Sequence, residues 1–331
     1  MKKYVKVLAI LVLFLTTTTY SPPTETVSAT DTPYYVQLGG EPFGIRLFSD
    51  GVLVIKVEEK LCGDKEQSPA FEAGIKKNDI IKKVNSENIF SSYDLTEAVK
   101  RYSDLELTIQ RNGETHLIKT SPKCDKCGNP KLGIWVKDSS AGIGTVTYYD
   151  DNKGIFGTLG HGIYESETGT IMPLYYGEIT KANIYDVTKS VNGKAGTLNG
   201  YFEDEIIGKA YKNSDVGIFG RMTENQNRDY IETASKGEVN LGDALIYTTV
   251  KGCEKKAYNI KIKRLNTHSD KGMLIEITDP ELLEVTGGIT QGMSGSPIVQ
   301  NGKLVGALTH VLINNVEYGY GIYIEDMMKS A

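Results

Sequence analysis

Hydrophobic and polar positions divide the chain into two unlike stretches. In the first, Phe43–Leu47 and Val52–Val57 are apolar-rich runs separated by Asp50-Gly51, which predicts two strands around a turn. Ser68-Pro69-Ala70-Phe71-Glu72-Ala73-Gly74 predicts a one-turn helix: Ser caps it, Pro takes its first position and Gly ends it. Asp79–Asn85 reads as another strand. Leu95, Ala98, Val99 and Tyr102 fall on one face, so a longer helix runs from about Tyr93 to Tyr102, capped by Ser91 or Ser92. Leu105–Arg111, the turn Asn112-Gly113 and Thr115–Lys119 predict a closing hairpin. From Leu132 onward helical periodicity is scarce. Gly144–Tyr149, Gly154–Leu159, Val216–Phe219 and Leu304–Leu312 are short apolar runs between glycines, the pattern of a β barrel or a pair of barrels.

The expected organisation is therefore an α+β unit over 35–122, a polar linker over 123–131 and a β-rich unit over 132–331. A length of 331 residues agrees with two domains. The 35 glycines, 20 tyrosines and 8 phenylalanines suit strands and tight turns. A net charge of −5 argues against a nucleic-acid partner, which calls for a basic footprint. Lys2, Lys3 and Lys6 precede the apolar run Val7–Leu15, which predicts a secretory signal or a single-pass anchor over 1–29, ending near Val27-Ser28-Ala29. The working part is expected to be exported. Cys124 and Cys127 form a C-x-x-C, read as a disulfide or idle thiols. A zinc site needs two more ligands, and no His stands at finger spacing. A bridge between Cys62 and Cys253 is open.

The order of elements over 35–122 resembles a PDZ domain. The run Ser68–Asn85, with Ser-Pro-Ala, Ala-Gly-Ile and Asp-Ile-Ile in sequence, carries the resemblance, and Asn78 stands where the turn usually has Gly. Gly39–Ile45 looks like the carboxylate-binding loop. A PDZ domain adds a peptide strand to its sheet edge. That places the expected peptide-binding strand at Gly44, Ile45, Arg46 and Leu47.

The chemistry concentrates in Gly287–Pro297. A serine peptidase needs a nucleophilic hydroxyl beside backbone N–H groups that hold the tetrahedral oxyanion. In Gly292-Met293-Ser294-Gly295 the hydroxyl is that of Ser294, and the expected oxyanion donors are the N–H groups of Gly292 and Ser294. The loop resembles the nucleophile loop of chymotrypsin-like peptidases. Ser296 is a rival without the preceding Gly-x. Of the four histidines, His116 lies in the first unit, His268 in a polar stretch and His310 in the strand after Ser294. His161, in Leu159-Gly160-His161-Gly162, is the expected general base, with His310 as alternative. The orienting acid is either Asp215, which resembles the strand start that carries the acid in chymotrypsin-like enzymes, or Asp279, fifteen residues before Ser294.

Ile277–Val311, Leu132–Tyr148 and Gly160-His161 are similar to the stage IV sporulation protein B serine peptidases. That resemblance implies a mainly β fold, a PDZ domain followed by a chymotrypsin-like double β-barrel, and a triad on Ser294, His161 and Asp279, with no metal or organic cofactor. It further implies self-cleavage near the N-terminus in the forespore intermembrane space. Cleavage of an extracytoplasmic segment of a membrane-bound inhibitor of an intramembrane metalloprotease would follow. The alternatives are an envelope quality-control protease of the HtrA type, in which the PDZ domain follows the protease, and a PDZ adaptor with a decayed protease fold. Met293 cannot pair with a new α-amino group, so trimming is not expected to switch the site on. The PDZ groove would be the regulator, holding the chain's own N-terminal region or the target. On this reading residues 132–331 alone keep a reactive Ser294.

Overall fold

Local chemistry builds the first helices as the sequence predicts. In the computed structural model, which describes residues 32–61, 66–223, 228–266 and 272–331, strands β1 (Tyr35–Leu38) and β2 (Pro42–Val57) precede helix α1 (Pro69–Glu72). Ser68 caps α1 by accepting the Phe71 N–H at 3.2 Å. Strands β3 (Ile80–Val84) and β4 (Glu87–Asn88) lead into α2 (Ser92–Arg101). Ser91 and Asp94 close a capping box at its start. Strands β5 (Leu105–Arg111) and β6 (Glu114–Thr120) form the predicted hairpin. Asn78 does adopt the left-handed conformation, with φ at 75°. The signal or anchor segment, Cys62 and His268 lie outside the described residues. Cys124, Cys127 and Cys253 are exposed free thiols.

The rest is strand. A small ribbon, β7 (Lys123–Cys124) with β8 (Pro130–Lys131), is followed by the long β9 (Ile134–Asp150). Then come β10 (Ile155–Thr158), β11 (Tyr176–Thr188), β12 (Thr197–Ser214) and β13 (Gly217–Met222). β14 (Tyr230–Thr233), β15 (Gly242–Thr248), β16 (Lys256–Leu265) and β17 (Met273–Ile277) precede helix α3 (Pro280–Thr286). The chain closes with β18 (Pro297–Gln300), β19 (Lys303–Val311), β20 (Tyr318–Tyr323) and helix α4 (Ile324–Lys329).

Pairing closes two rings. The first runs β2–β9–β10–β13–β12–β11 and back to β2. The second runs β15–β16–β17–β20–β19–β18 and back to β15. Closure pairs each of these strands on both sides over part of its length, and side chains fill each interior. Phe43, Ile45, Leu47, Phe156 and Ile179 fill the first barrel, and Ile246, Ile260, Ile275 and Leu308 the second. Val36, Tyr148, Phe219, Leu304 and Met327 form a separate buried layer. β1 ties the barrels together, pairing with β9 and with β14, which pairs with β19. The fold is mainly β, a double barrel with a PDZ-like domain, as the sequence predicts.

The route between domains is not the expected linear one. Val52, Val54, Ile81, Leu95, Val99, Leu107 and Leu132 share one core, with Ile134 and Val136 packed against it. That PDZ-like core therefore draws on the second half of β2 and the first half of β9. β2 and β9 run together from Pro42↔Thr145 to Val57↔Ile134, so the PDZ-like domain is inserted into a barrel hairpin. Asp50-Gly51 does not turn the chain back. β2 continues through it with Gly51 at φ +105° and a register shift between Phe48 and Leu53.

This placement corrects the expected peptide-binding strand. Gly44, Ile45, Arg46 and Leu47 pair with Ile143–Ser140 of β9 on one edge and with Thr180–Gly177 of β11 on the other. Both edges are filled, so no peptide strand can add there. It also removes the expectation for residues 132–331 alone. Such a fragment lacks β1 and the barrel half of β2, whose Val36, Phe43, Ile45 and Leu47 are at most 1% exposed.

Candidate active site

Two strands of the first barrel, β10 and β12 on either side of β13, position His161, the expected base. β10 ends at Thr158, and the chain then turns through Leu159 at φ 65° and Gly160 at φ 68° to present His161. Asn213 at the end of β12 clamps the segment that follows. Its Oδ1 accepts the Ile163 N–H at 2.9 Å, and its Nδ2 donates to the carbonyls of Ile163 and Met172, both at 2.9 Å. The half-buried imidazole places Nδ1 2.7 Å from the Gly162 carbonyl. A carbonyl only accepts, so Nδ1 carries the proton and Nε2 keeps its lone pair. Burial lowers the imidazole pKa, and the Gly162 contact opposes that in part.

The second barrel supplies the loop of Ser294, the expected nucleophile, and β9 of the first barrel holds it. The Thr145 N–H donates to the Ser294 carbonyl at 2.9 Å, and Thr145 Oγ1 donates to the Gly292 carbonyl at 2.9 Å. Thr147 Oγ1 donates to the Gly295 carbonyl at 2.7 Å. Two threonines at i and i+2 face the same way on a strand. That Thr-Val-Thr spacing is the signal from which these holding residues could have been found. Gly292 and Gly295 both have positive φ, +101° and +94°. Among the described residues neither the Gly292 nor the Ser294 N–H is spent on a protein acceptor.

Gly295 is the tightest point of this loop. A Cβ there would lie 2.0 Å from the Thr145 carbonyl oxygen. Gly295→Ala is expected to cost several kcal/mol, about the top of the usual range for point substitutions. Urea unfolding of the purified variant measures it, and a loss within about 0.5 kcal/mol would mean the loop has room to shift.

Ser294 and His161 line one cavity of about 510 Å³, together with Leu159, Gly292, Thr309 and His310. The Ser294 hydroxyl donates to the Thr309 carbonyl at 2.7 Å, so at rest it lies on β19. The exposed His310, the alternative base, lies against His161 in a tilted arrangement, with ring centroids 4.6 Å apart and planes at 35°. Ser296 is fully buried and turned away from the cavity that Ser294 lines.

Neither candidate carboxylate bonds His161 among the described residues. Asp279 is the N-cap of α3. Its Oδ1 accepts the N–H groups of Glu281 (3.0 Å) and Leu282 (3.2 Å), and its Oδ2 accepts from Asn259 N–H (3.1 Å) and Nδ2 (3.2 Å). These bonds hold its pKa below the ordinary carboxylate value against burial, which pushes the other way. The triad place that the resemblance implies for Asp279 is thus not taken up in this structure, because both oxygens serve the helix and β16. Asp215 sits in the turn between β12 and β13, where it accepts the Tyr164 hydroxyl at 2.5 Å. Its neighbour Ser214 backs the base loop: a Cβ on Gly162 would meet the Ser214 carbonyl at 2.8 Å.

Comparison with known proteins agrees with the residues. A family model described as SpoIVB peptidase S55 matches residues 128–328, and a PDZ-domain model matches residues 37–121. The zinc metalloprotease RasP of Oceanobacillus iheyensis is 27% identical over 152 residues, which is 41% of this chain and 35% of that protein. Serine protease HTRA1 of Xenopus laevis is 38% identical over 56 residues, 17% of this chain and 12% of that one. The chain thus spans about a third or less of the length of these curated relatives. Solved structures with similar parts include the PDZ domain of an SdrC-like protein from Listeria monocytogenes, with TM-score 0.23 and 19% identity over 26% of this chain and 87% of that one. The Rv3671c protease of M. tuberculosis in its active form has TM-score 0.35 and 14% identity over 57% and 72%. With a Ser–His cleft between two barrels and more than half of its length in the first family match, the chain belongs to the SpoIVB peptidase S55 family.

Proposed function

We propose that Ser294 is the nucleophile and His161 the general base of an exported serine endopeptidase that acts in sporulation signalling. The observation that carries this reading is the shared cleft: it is lined both by Ser294, on a loop held by Thr145 and Thr147, and by His161, whose Nε2 lone pair is free by tautomer. The Ser294 hydroxyl leaves the Thr309 carbonyl and gives its proton to His161 Nε2 as Oγ attacks the scissile carbonyl. The imidazolium then protonates the leaving amine, and water repeats the cycle on the acyl-enzyme. The N–H groups of Gly292 and Ser294, which have no protein acceptor among the described residues, hold the oxyanion. The Gly162 carbonyl does the orienting that a carboxylate does in other serine peptidases. The proposed steps use no metal or organic cofactor.

The substrate is a protein, by the family reading the extracytoplasmic part of a membrane-bound regulator, and the chain's own N-terminal region is a second one. The site of action is the forespore intermembrane space, close to the membrane. A fluorophosphonate probe on the purified chain tests the chemistry, with Ser294 as the expected site of labelling. In the sporulating host, Ser294→Ala should leave the late mother-cell sigma factor unprocessed. Normal processing in that strain would remove the signalling role while leaving the peptidase intact.

A further inference from the structure

One edge of β9 leads out of the cleft. Thr145 turns its N–H toward Ser294, whereas Val146 gives its N–H to Glu41 and accepts from Gly40 on the β2 side. Backbone groups alternate between the two edges of an antiparallel strand. The register with β2 is unbroken from Pro42↔Thr145 to Phe48↔Ser139. Ile143, Ala141 and Ser139 therefore turn their N–H and C=O groups to the same edge as Thr145. Among the described residues no strand pairs with that edge there, since β10 and β1 meet β9 only from Val146 onward. Ala141, Gly142 and Ile143 line the cleft, and a Cβ built on Gly142 meets nothing within 4 Å. At the far end Asp138 accepts the N–H of Ser92 at the start of α2, at 2.7 Å. From Ile143 to Asp138 is about 17 Å at about 3.3 Å per residue.

We propose that this edge is a strand-pairing site for substrate. An extended, proline-free polypeptide adds antiparallel to β9. Its residues on the carboxyl side of the cleaved bond pair with Ile143, Ala141 and Ser139 in turn and reach α2 of the PDZ-like domain. The proposal rests on Ser294 as nucleophile and adds how the substrate is selected. β9 runs toward Ser294, so an antiparallel partner runs away from it. Antiparallel is the direction β9 uses with β1, β2 and β10. Main-chain pairing tolerates many side chains, so it selects extended segments rather than one sequence. Proline has no N–H to give, and every second position of the partner must give one. The Ser92–Asp138 bond marks where the track meets the PDZ-like domain, so cleft and domain read one continuous segment.

The test uses the full chain and a synthetic random-sequence peptide library, about fifteen residues long so that both flanks can exceed the track. Cut sites are read by mass spectrometry, with fluorophosphonate labelling of Ser294 in parallel. Bonds followed by fewer than about five residues should be cut at least about tenfold more slowly, and proline should be depleted at alternate positions after the bond. Equal cutting of peptides that end two or three residues past the bond overturns the proposal. A length requirement confined to the amino side does so as well. Labelling of Ser294 with no peptide cut also overturns it, because the edge is then closed to free polypeptide. Absence of labelling removes the nucleophile reading, and this proposal with it.

Discussion

Ser294→Ala should abolish peptide-bond hydrolysis, a loss on the order of 10⁶ in turnover rate, while leaving the fold in place. Among the described residues the hydroxyl has one protein partner, the Thr309 carbonyl, and it lies in a cleft that water reaches. Its removal therefore costs about 1 kcal/mol of stability, the ordinary worth of one hydrogen bond. Ser296 is the internal control. Two residues away, it is fully buried, and its hydroxyl has no partner among the described residues. Ser296→Ala removes a buried, unsatisfied polar group, so stability should hold or rise and activity should remain. The measurement is cleavage of an unfolded protein by each purified variant, beside its urea midpoint. An active Ser294→Ala with an inactive, folded Ser296→Ala would move the nucleophile.

His161→Ala should cost nearly as much, because base and nucleophile act as one unit. The wild-type pH profile carries the second half of this prediction. Only neutral imidazole can take the Ser294 proton, so kcat/KM falls as pH drops through the His161 pKa. Burial lowers that pKa, so the acid limb should lie below the ordinary value of 6.5. Asp279 separates the structure from the family resemblance. An orienting carboxylate lost to Asn costs about 10⁴ in turnover through the wrong tautomer. Here the tautomer is set by the Gly162 carbonyl, and Asn still caps a helix well. Folded Asp279→Asn should therefore keep its turnover within about tenfold and its acid limb unmoved, well short of the 10⁴ that marks a lost orienting group. A 10⁴ loss in that variant would return Asp279 to the triad.

What could be read from the sequence was local. Ser68, Ser91 and Gly74 announce the helices of the PDZ-like domain, and Gly292–Gly295 announces the nucleophile loop, because caps and tight turns depend on residues a few positions apart. Asp279 was legible too, in another sense. Asp followed by Pro280 and Glu281 is the start of a helix, and a side chain spent on two helix N–H groups is poorly placed to serve an imidazole. The fate of Gly44–Leu47 was not legible. Phe43, Ile45 and Leu47 alternate toward a core whether the strand borders a peptide groove or closes a barrel. The deciding partners, β9 and β11, lie about a hundred residues or more along the chain. Thr309 and Asn213 were missed for the same reason. Each acts through contacts that no short window of sequence contains.

The inserted domain also has a consequence for how the chain finds its shape. Val36 must meet Ile231, and Phe48 must meet Ser139, so the first barrel is assembled from contacts far apart in sequence. Such topologies fold slowly, because loop entropy is lost before the contacts that compensate it form. The PDZ-like domain is mostly local in its pairing and can form early. Once folded it holds the far ends of β2 and β9 side by side. A closure over about 90 residues becomes one over a few, which lowers its entropic cost by on the order of 3 kcal/mol. Pulse-labelling hydrogen exchange during refolding would register this as protection of β3, β5 and α2 before β11 and β12. In that sense the domain is a folding template for the barrel around it, and damage to its core would appear first as a slow, aggregation-exposed barrel rather than as a lost binding site.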